Sequence, residues 1–203
     1  MQHVAAQIVE LIDGAAQVME HRDPADSRLR QMREPLIAEI HALATPAIDT
    51  VKTRHHGNLQ LSKVLLVADD FVITNFDGVL TLPLEERRRK HSPLRDVAAV
   101  LCSLRRAQTV AERRTLNVQP DLRDHIQPAL ETWRKGASDA FMKGYRRGVG
   151  DSGCVPPKAA EVNRLLRLYQ IEFMLRRLSE DLERRRNSAS DSFDDLLAVL
   201  QQT

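Results

Sequence analysis

With 203 residues the chain can bury one sizeable hydrophobic core or two small ones, and 42% hydrophobic with 29% charged residues is the composition of a globular protein. A net charge of +2 provides no global field to recruit nucleic acid or anionic lipid. No apolar run approaches the roughly 20 residues that span a bilayer. The opening stretch, "MQHVAAQIVELIDGAAQVMEH", lacks the basic start of a secretory leader. Cys102 and Cys154 offer neither a disulfide framework nor metal-ligand spacing. The expectation is a cytoplasmic protein with no nucleic-acid or membrane partner.

In chain order, Val4, Ile8, Leu11, Ile12, Ala15, Val18 and Met19 fall at helical spacing and predict a first helix over residues 3 to 20. "RDPADS" breaks it. Asp26 or Ser27 is placed to cap a second helix running to about Ala44, with a kink or restart at Pro35 and a stop at Pro46. From residue 50 the character changes. "KVLLVADDFVITNF" reads as two short strands around a turn at Ala68 to Asp70.

Helical patterning then returns. "PLEERRRK" is short and polar, and "SPLRDVAAVLCSLRRA" starts with Ser92 as N-cap and Pro93 at the first helical position. Cys102 lies in its apolar run and reads as a small core residue. A helical region from about Pro120 to Val149 bends near Pro128, and "GVGDSGCVPP" is a loop. A long helix from Lys158 to Arg186 aligns Leu165, Leu168, Tyr169, Glu172, Phe173, Leu175 and Leu178. Ser190 or Asp191 caps a last helix that buries Phe193, Leu196, Leu197 and Leu200. The fold class is therefore mostly α with a small β-hairpin (α+β).

The stretch "HHGNLQLSKVLLVADDFVITNFDG", residues 55 to 78, carries the chemistry. Its His-Gly, the position after it, the position five residues on and the Asn-Phe-Asp after the hairpin have the layout of a phosphotransferase catalytic loop and metal-binding strand end. Downstream, "PLEERRRKHSPLRDVAAVL", the pattern of Trp133, Ala140-Phe141 and Gly144-Tyr145, and "YQIE" at 169 to 172 accompany it. Together these resemble the bacterial maltokinases, a branch of the aminoglycoside-phosphotransferase and protein-kinase-like superfamily often fused to trehalose synthase.

That resemblance implies a kinase-like carboxy-terminal lobe without the amino-terminal lobe, since about 55 helical residues precede the loop. It spans 1–203 as a single lobe, with a helical lead-in over 1–49, the catalytic-loop relic and hairpin over 50–80, and a helical bundle over 81–203. The family would use ATP and Mg2+. Its catalytic Asp position is Asn58, its metal-amide position is Lys63, and its strand-end triplet is Asn75-Phe76-Asp77. A carboxamide cannot take a proton from a sugar hydroxyl, a loss of roughly 10²- to 10⁴-fold in rate. Neutral Asn75 and cationic Lys63 degrade two metal ligands and leave Asp77 a weak one. Neither cofactor is therefore expected.

His56 and Gly57 belong to the loop scaffold, and Arg95 and Asp96 open the following helix, where an Asp ties down the loop in the wider superfamily. Lys63 is either a solvated surface residue or a cation standing where magnesium would sit, making a phosphate contact. Past Glu172, Arg176 and Ser179 replace the family's aromatics.

The expected function is that of a maltokinase-like pseudokinase lobe that binds a true maltokinase, a trehalose synthase or its own second copy as a homo-oligomer. The alternative is a sugar kinase that converts maltose to maltose 1-phosphate, with residual activity or completed by a lobe in trans; a folded remnant is a third reading.

Overall fold

The computed structural model describes residues 1–203 apart from 24–25, 46, 49, 185–188 and 202–203. The chain divides into two compact units, one made of residues 1–49 with 158–203 and the other of residues 50–157.

The first unit holds α1 (Gln2–Arg22), α2 (Arg28–Gln31), α3 (Arg33–Ala44), α7 (Ala159–Glu183) and α8 (Ala189–Leu200). α1, α3 and α8 all pack against α7. This explains why α7 buries neighbours in sequence such as Leu165 with Leu166, and Leu168 with Tyr169 and Ile171. A helix covered on several sides needs apolar groups beyond a single stripe. Ile8 and Ile12 of α1, Ile40 of α3, Leu168 and Ile171 of α7 and Leu196 of α8 are fully enclosed. Each such side chain contributes about 1.5–3 kcal/mol of burial free energy. Phe173, Leu197 and Leu200 are half-buried instead of buried, as are Leu11 and Val18.

Polar ties pin the helix ends. Arg167 donates to Glu39 at 2.8 Å and to the Leu200 carbonyl at 2.9 Å, satisfying an orphan acceptor at the end of α8. The buried Ser192 hydroxyl donates to the buried Asp181 carboxylate at 2.7 Å. The Arg28 guanidinium lies 4.4 Å above the Phe193 ring.

Two local expectations need correction here. Neither Asp26 nor Ser27 caps α2 through its side chain: the Asp26 carboxylate is engaged by the Arg28 guanidinium through two bonds of 2.8 Å, and the Ser27 hydroxyl accepts from Gln31. α8 is already under way at Ala189, so Ser190 and Asp191 lie in its first turn. The restart expected near Pro35 is present: Met32 separates α2 from α3, which places Pro35 in the first turn of α3, where a missing amide costs no helical bond. The stops expected at Pro46 and Arg186 lie outside the described residues.

The second unit runs from an extended segment through a 3₁₀ turn (Leu61–Lys63) into β1 (Val64–Val67) and β2 (Asp70–Ile73), then α4 (Leu84–Arg88), α5 (Leu94–Val118), a 3₁₀ turn (Pro120–Leu122) and α6 (Arg123–Val149). The strands pair antiparallel, Val64 with Ile73 and Val67 with Asp70, around a two-residue turn in which Ala68 and Asp69 both have positive φ. Val64, Leu66, Phe71 and Ile73 share one face. Leu66 and Phe71 are 69% and 71% exposed, so the hairpin's apolar pattern does not mark a core.

α5 starts one residue later than its sequence suggests. Pro93 takes the cap position, and the buried Ser92 hydroxyl accepts the Leu94 amide at 3.3 Å. Cys102 is buried on this helix. α6 packs along α5 and keeps Pro128 inside it; none of its residues is fully buried, and Trp133 is largely exposed.

Candidate functional site: the loop at 55–58 and the hairpin end

The site forms where the segment before the hairpin meets the start of α5. Thr53 and His91 exchange both backbone hydrogen bonds, at 2.9 and 3.1 Å, and bring the two segments side by side. Three residues beyond, the loop turns over the first turn of α5. There the Asp96 carboxylate accepts the His56 amide at 2.6 Å through one oxygen and the Gly57 amide at 2.9 Å through the other. Charge-assisted bonds of this kind are about twice as strong as neutral ones. Asp96 thereby holds the loop backbone and also places a negative charge at the amino end of α5.

His56 is buried and fully engaged. Its Nε2 donates to the Thr74 carbonyl at 2.8 Å, and its Nδ1 accepts the Asn58 amide at 3.3 Å. A carbonyl can only accept, so the ring carries its proton on Nε2. With both nitrogens committed, the ring links the loop to the end of β2. The Phe76 ring packs against it at 4.9 Å.

Gly57 has φ +79, and a Cβ there would stand 3.6 Å from the Gly78 Cα. That distance is ordinary contact, so it is the left-handed backbone at Gly57 and Gly78 (φ +79 and +72) that favours glycine where the loop meets the turn after β2. Arg87 of α4 locks that turn, donating to the Asp77 carbonyl at 2.9 Å and to the Leu82 carbonyl at 3.2 Å.

Around this frame stand the residues singled out from sequence. Asn58 follows the clamped pair, and its Oδ1 accepts from Gln60 Nε2 at 2.6 Å. Lys63 ends the 3₁₀ turn, and its carbonyl accepts the Thr74 amide at 2.9 Å and the Thr74 hydroxyl at 3.3 Å. Asn75 comes next, in the left-handed region at φ 64, a conformation that Asn tolerates better than most residues. Asp77 is exposed and Arg95 half-exposed. Thus His56, Gly57, Asn58, Thr74 and Asp96 form one bonded cluster, and Lys63 joins it through its backbone. Glu172 belongs to the first unit, where it is buried and accepts from Arg176 at 2.9 Å; Ser179 is turned to the Leu175 carbonyl.

Sequence reasoning missed Thr74, Gln60, His91 and Arg87. Glycines at 57 and 78 were the available signal for the left-handed backbone there, whereas side-chain bonds to carbonyls leave no pattern.

Tyr145 on α6 is a further finding. Its hydroxyl oxygen is buried without a hydrogen-bond partner among the described residues. Burial pushes its phenol up to about 12, with the charges of Cys154 and Asp96 adding to the effect.

A magnesium ion, implied by the resemblance to kinases, does not fit these residues. Hard divalent cations take carboxylate, carbonyl and water oxygens. Here Lys63 brings a positive charge, Asn75 and Asn58 are neutral, both Asp96 oxygens are already occupied by amides, and exposed Asp77 is left as a lone carboxylate. Among the described residues no cluster of three His, Cys, Asp or Glu is arranged to hold a metal ion.

The fold and loop define a class: a kinase-like helical lobe of the type found in sugar kinases. The particular proteins it is similar to are glucosamine kinases. The glucosamine kinase of Streptacidiphilus jiangxiensis is 29% identical over 110 residues, 54% of this chain and 22% of that protein. A solved glucosamine kinase (crystal form A) matches with a TM-score of 0.68 at 20% identity, over 98% of this chain and 46% of that one. A second, in complex with glucosamine, ADP and inorganic phosphate, matches with a TM-score of 0.68 at 20% identity, over 98% and 47%.

The chain therefore spans less than half the length of these structures, and at such identity the likeness is one of fold. No protein-family model matches the chain. The maltokinase resemblance thus holds at the level of a sugar-kinase-like lobe. There is a physical reason: "SPLRDVA" supplies the Ser92 and Asp96 bonds and the buried Leu94 and Val97, which build the scaffold. Among the described residues, no helix is long and apolar enough to cross a membrane.

Proposed function

We propose that the chain is the acceptor-side part of a sugar phosphotransferase similar to glucosamine kinase, moving a phosphoryl group from ATP to a hydroxyl of an amino-hexose or related sugar. The observation that carries this reading is the two-pronged clamp of Asp96 on the His56 and Gly57 amides. It spends a carboxylate on fixing a loop whose next residue, Asn58, stands at the position that the kinase resemblance gives to the acceptor-binding residue. Phosphoryl transfer depends chiefly on positioning and electrostatics, because its transition state is loose. In this reading Asn58, steadied by Gln60, orients the acceptor hydroxyl without deprotonating it. Maltose remains a competing acceptor, favoured by the motif resemblance alone.

A second reading is that of a pseudokinase lobe that binds sugar or a partner protein without transfer. Carboxamides at 58 and 75 and an ammonium at 63 favour it. Titration calorimetry with glucosamine, glucose and maltose, run beside a coupled assay of sugar-dependent ADP release, separates the two. ADP release that depends on glucosamine and falls about 10²-fold in Asn58→Ala supports transfer. Sugar binding without turnover moves the assignment to the second reading, and absence of both refutes the sugar site.

A further inference from the structure

We infer that the junction of the loop and the hairpin end is a direct anion site, which takes a phosphate group through Lys63 and carboxamide donors with no divalent cation between them. This rests on reading residues 55–78 as a phosphotransfer-type site and names what that site now holds. The three positions expected to bear metal or base all radiate from one bonded backbone cluster. Lys63 and Thr74 are joined by two hydrogen bonds, Asn75 follows Thr74, and His56 ties the Thr74 carbonyl to the Asn58 amide. Measured against the kinase pattern, all three differ in the same electrostatic direction: carboxylates at 58 and 75 become neutral amides that can donate, and the amide at 63 becomes an ammonium.

Lys63 is half-buried and forms no ion pair among the described residues. The Asp96 carboxylate is engaged by the loop amides. Asn58 has its Oδ1 engaged by Gln60, which leaves its Nδ2 hydrogens available as donors. A divalent cation here would have an ammonium and neutral amides beside it, whereas a phosphate would have the Lys63 charge and the carboxamides of Asn58 and exposed Asn75 as candidate donors. Lysine binds phosphate as a point charge, so no fork geometry is required of it.

The fitting ligand is a phosphate ester or diphosphate, supplied either by a nucleotide or by a phosphorylated sugar. Calorimetric titration of the 203-residue chain with inorganic phosphate, ADP and glucosamine 6-phosphate, each in EDTA and again in magnesium, tests this. Saturable binding in EDTA, no weaker than in magnesium, is expected. It should weaken about 10-fold in Lys63→Gln and fall several-fold in about 0.5 M salt. ADP binding tighter than glucosamine 6-phosphate assigns the site to a nucleotide, and the reverse order to a sugar phosphate.

Binding that requires magnesium, binding unchanged by Lys63→Gln, or no phosphate binding in EDTA overturns the inference. Circular dichroism confirms that the variant is folded, and Lys63→Arg, which keeps the charge, should retain affinity. Glucosamine titrated into the same samples reads the proposed function separately: sugar binding without anion binding refutes this inference alone.

Discussion

Asp96 gives the sharpest test of how the loop is held. Replacing it with Ala removes the acceptor of two amide hydrogens, at 2.6 and 2.9 Å. Hydrogen bonds to a charged group contribute about 1.5–3 kcal/mol each. The side chain is half-buried, so water recovers part of that, and a net local loss of about 2 kcal/mol is expected. Asp96→Asn is nearly as damaging, because its carboxamide can accept only one amide and turns N–H groups toward the other. A 2 kcal/mol loss corresponds to about a 30-fold larger open population of the loop. Hydrogen exchange by NMR at the His56 and Gly57 amides reads it directly, and urea denaturation reads the global part. Asp96 also complements the amino end of α5, worth about 0.3–1 kcal/mol. A drop in global stability with unchanged exchange at His56 and Gly57 would assign Asp96 to the helix alone and refute the tether.

Other expectations follow from burial. Leu168→Ala, at a fully enclosed position of α7, should cost about 3 kcal/mol in urea denaturation, while Leu66→Ser and Phe71→Ser on the exposed hairpin should change stability by less than about 0.5 kcal/mol and reduce self-association measured by light scattering. Tyr145→Phe removes a buried hydroxyl with no partner and should raise the stability at neutral pH by up to about 1 kcal/mol. In the wild type the phenol keeps its proton more tightly folded than unfolded. Its contribution is therefore full below pH ~10 and is lost as pH rises toward about 12; Tyr145→Phe should lack that alkaline loss in pH-dependent denaturation. Gly57→Ala should cost about 1–2 kcal/mol and loosen the loop, because its φ of +79 strains any Cβ.

What the sequence determined by itself is the set of elements and the sites of its unusual chemistry. Helical spacing of Val4, Ile8, Ile12 and Met19 located α1, and β-branched runs either side of Ala68 and Asp69 located the hairpin, because local periodicity follows from backbone geometry. The asparagines at 58 and 75 were equally visible, since side-chain identity needs no coordinates, and the kinase resemblance is what sets carboxylates against them. Tertiary structure alone decided that residues 1–49 join 158–203 in one unit. It alone decided that α7 is enclosed on several sides while the equally apolar hairpin is exposed. The tie between Asp96 and the loop is expected from the family resemblance; that it gives one oxygen to each of the His56 and Gly57 amides, and that Asn58 is steadied by Gln60, only the tertiary structure shows. Periodicity reports which face of an element is apolar; what covers that face, and which distant backbone groups a carboxylate meets, depends on long-range packing that nearest-neighbour propensities do not contain.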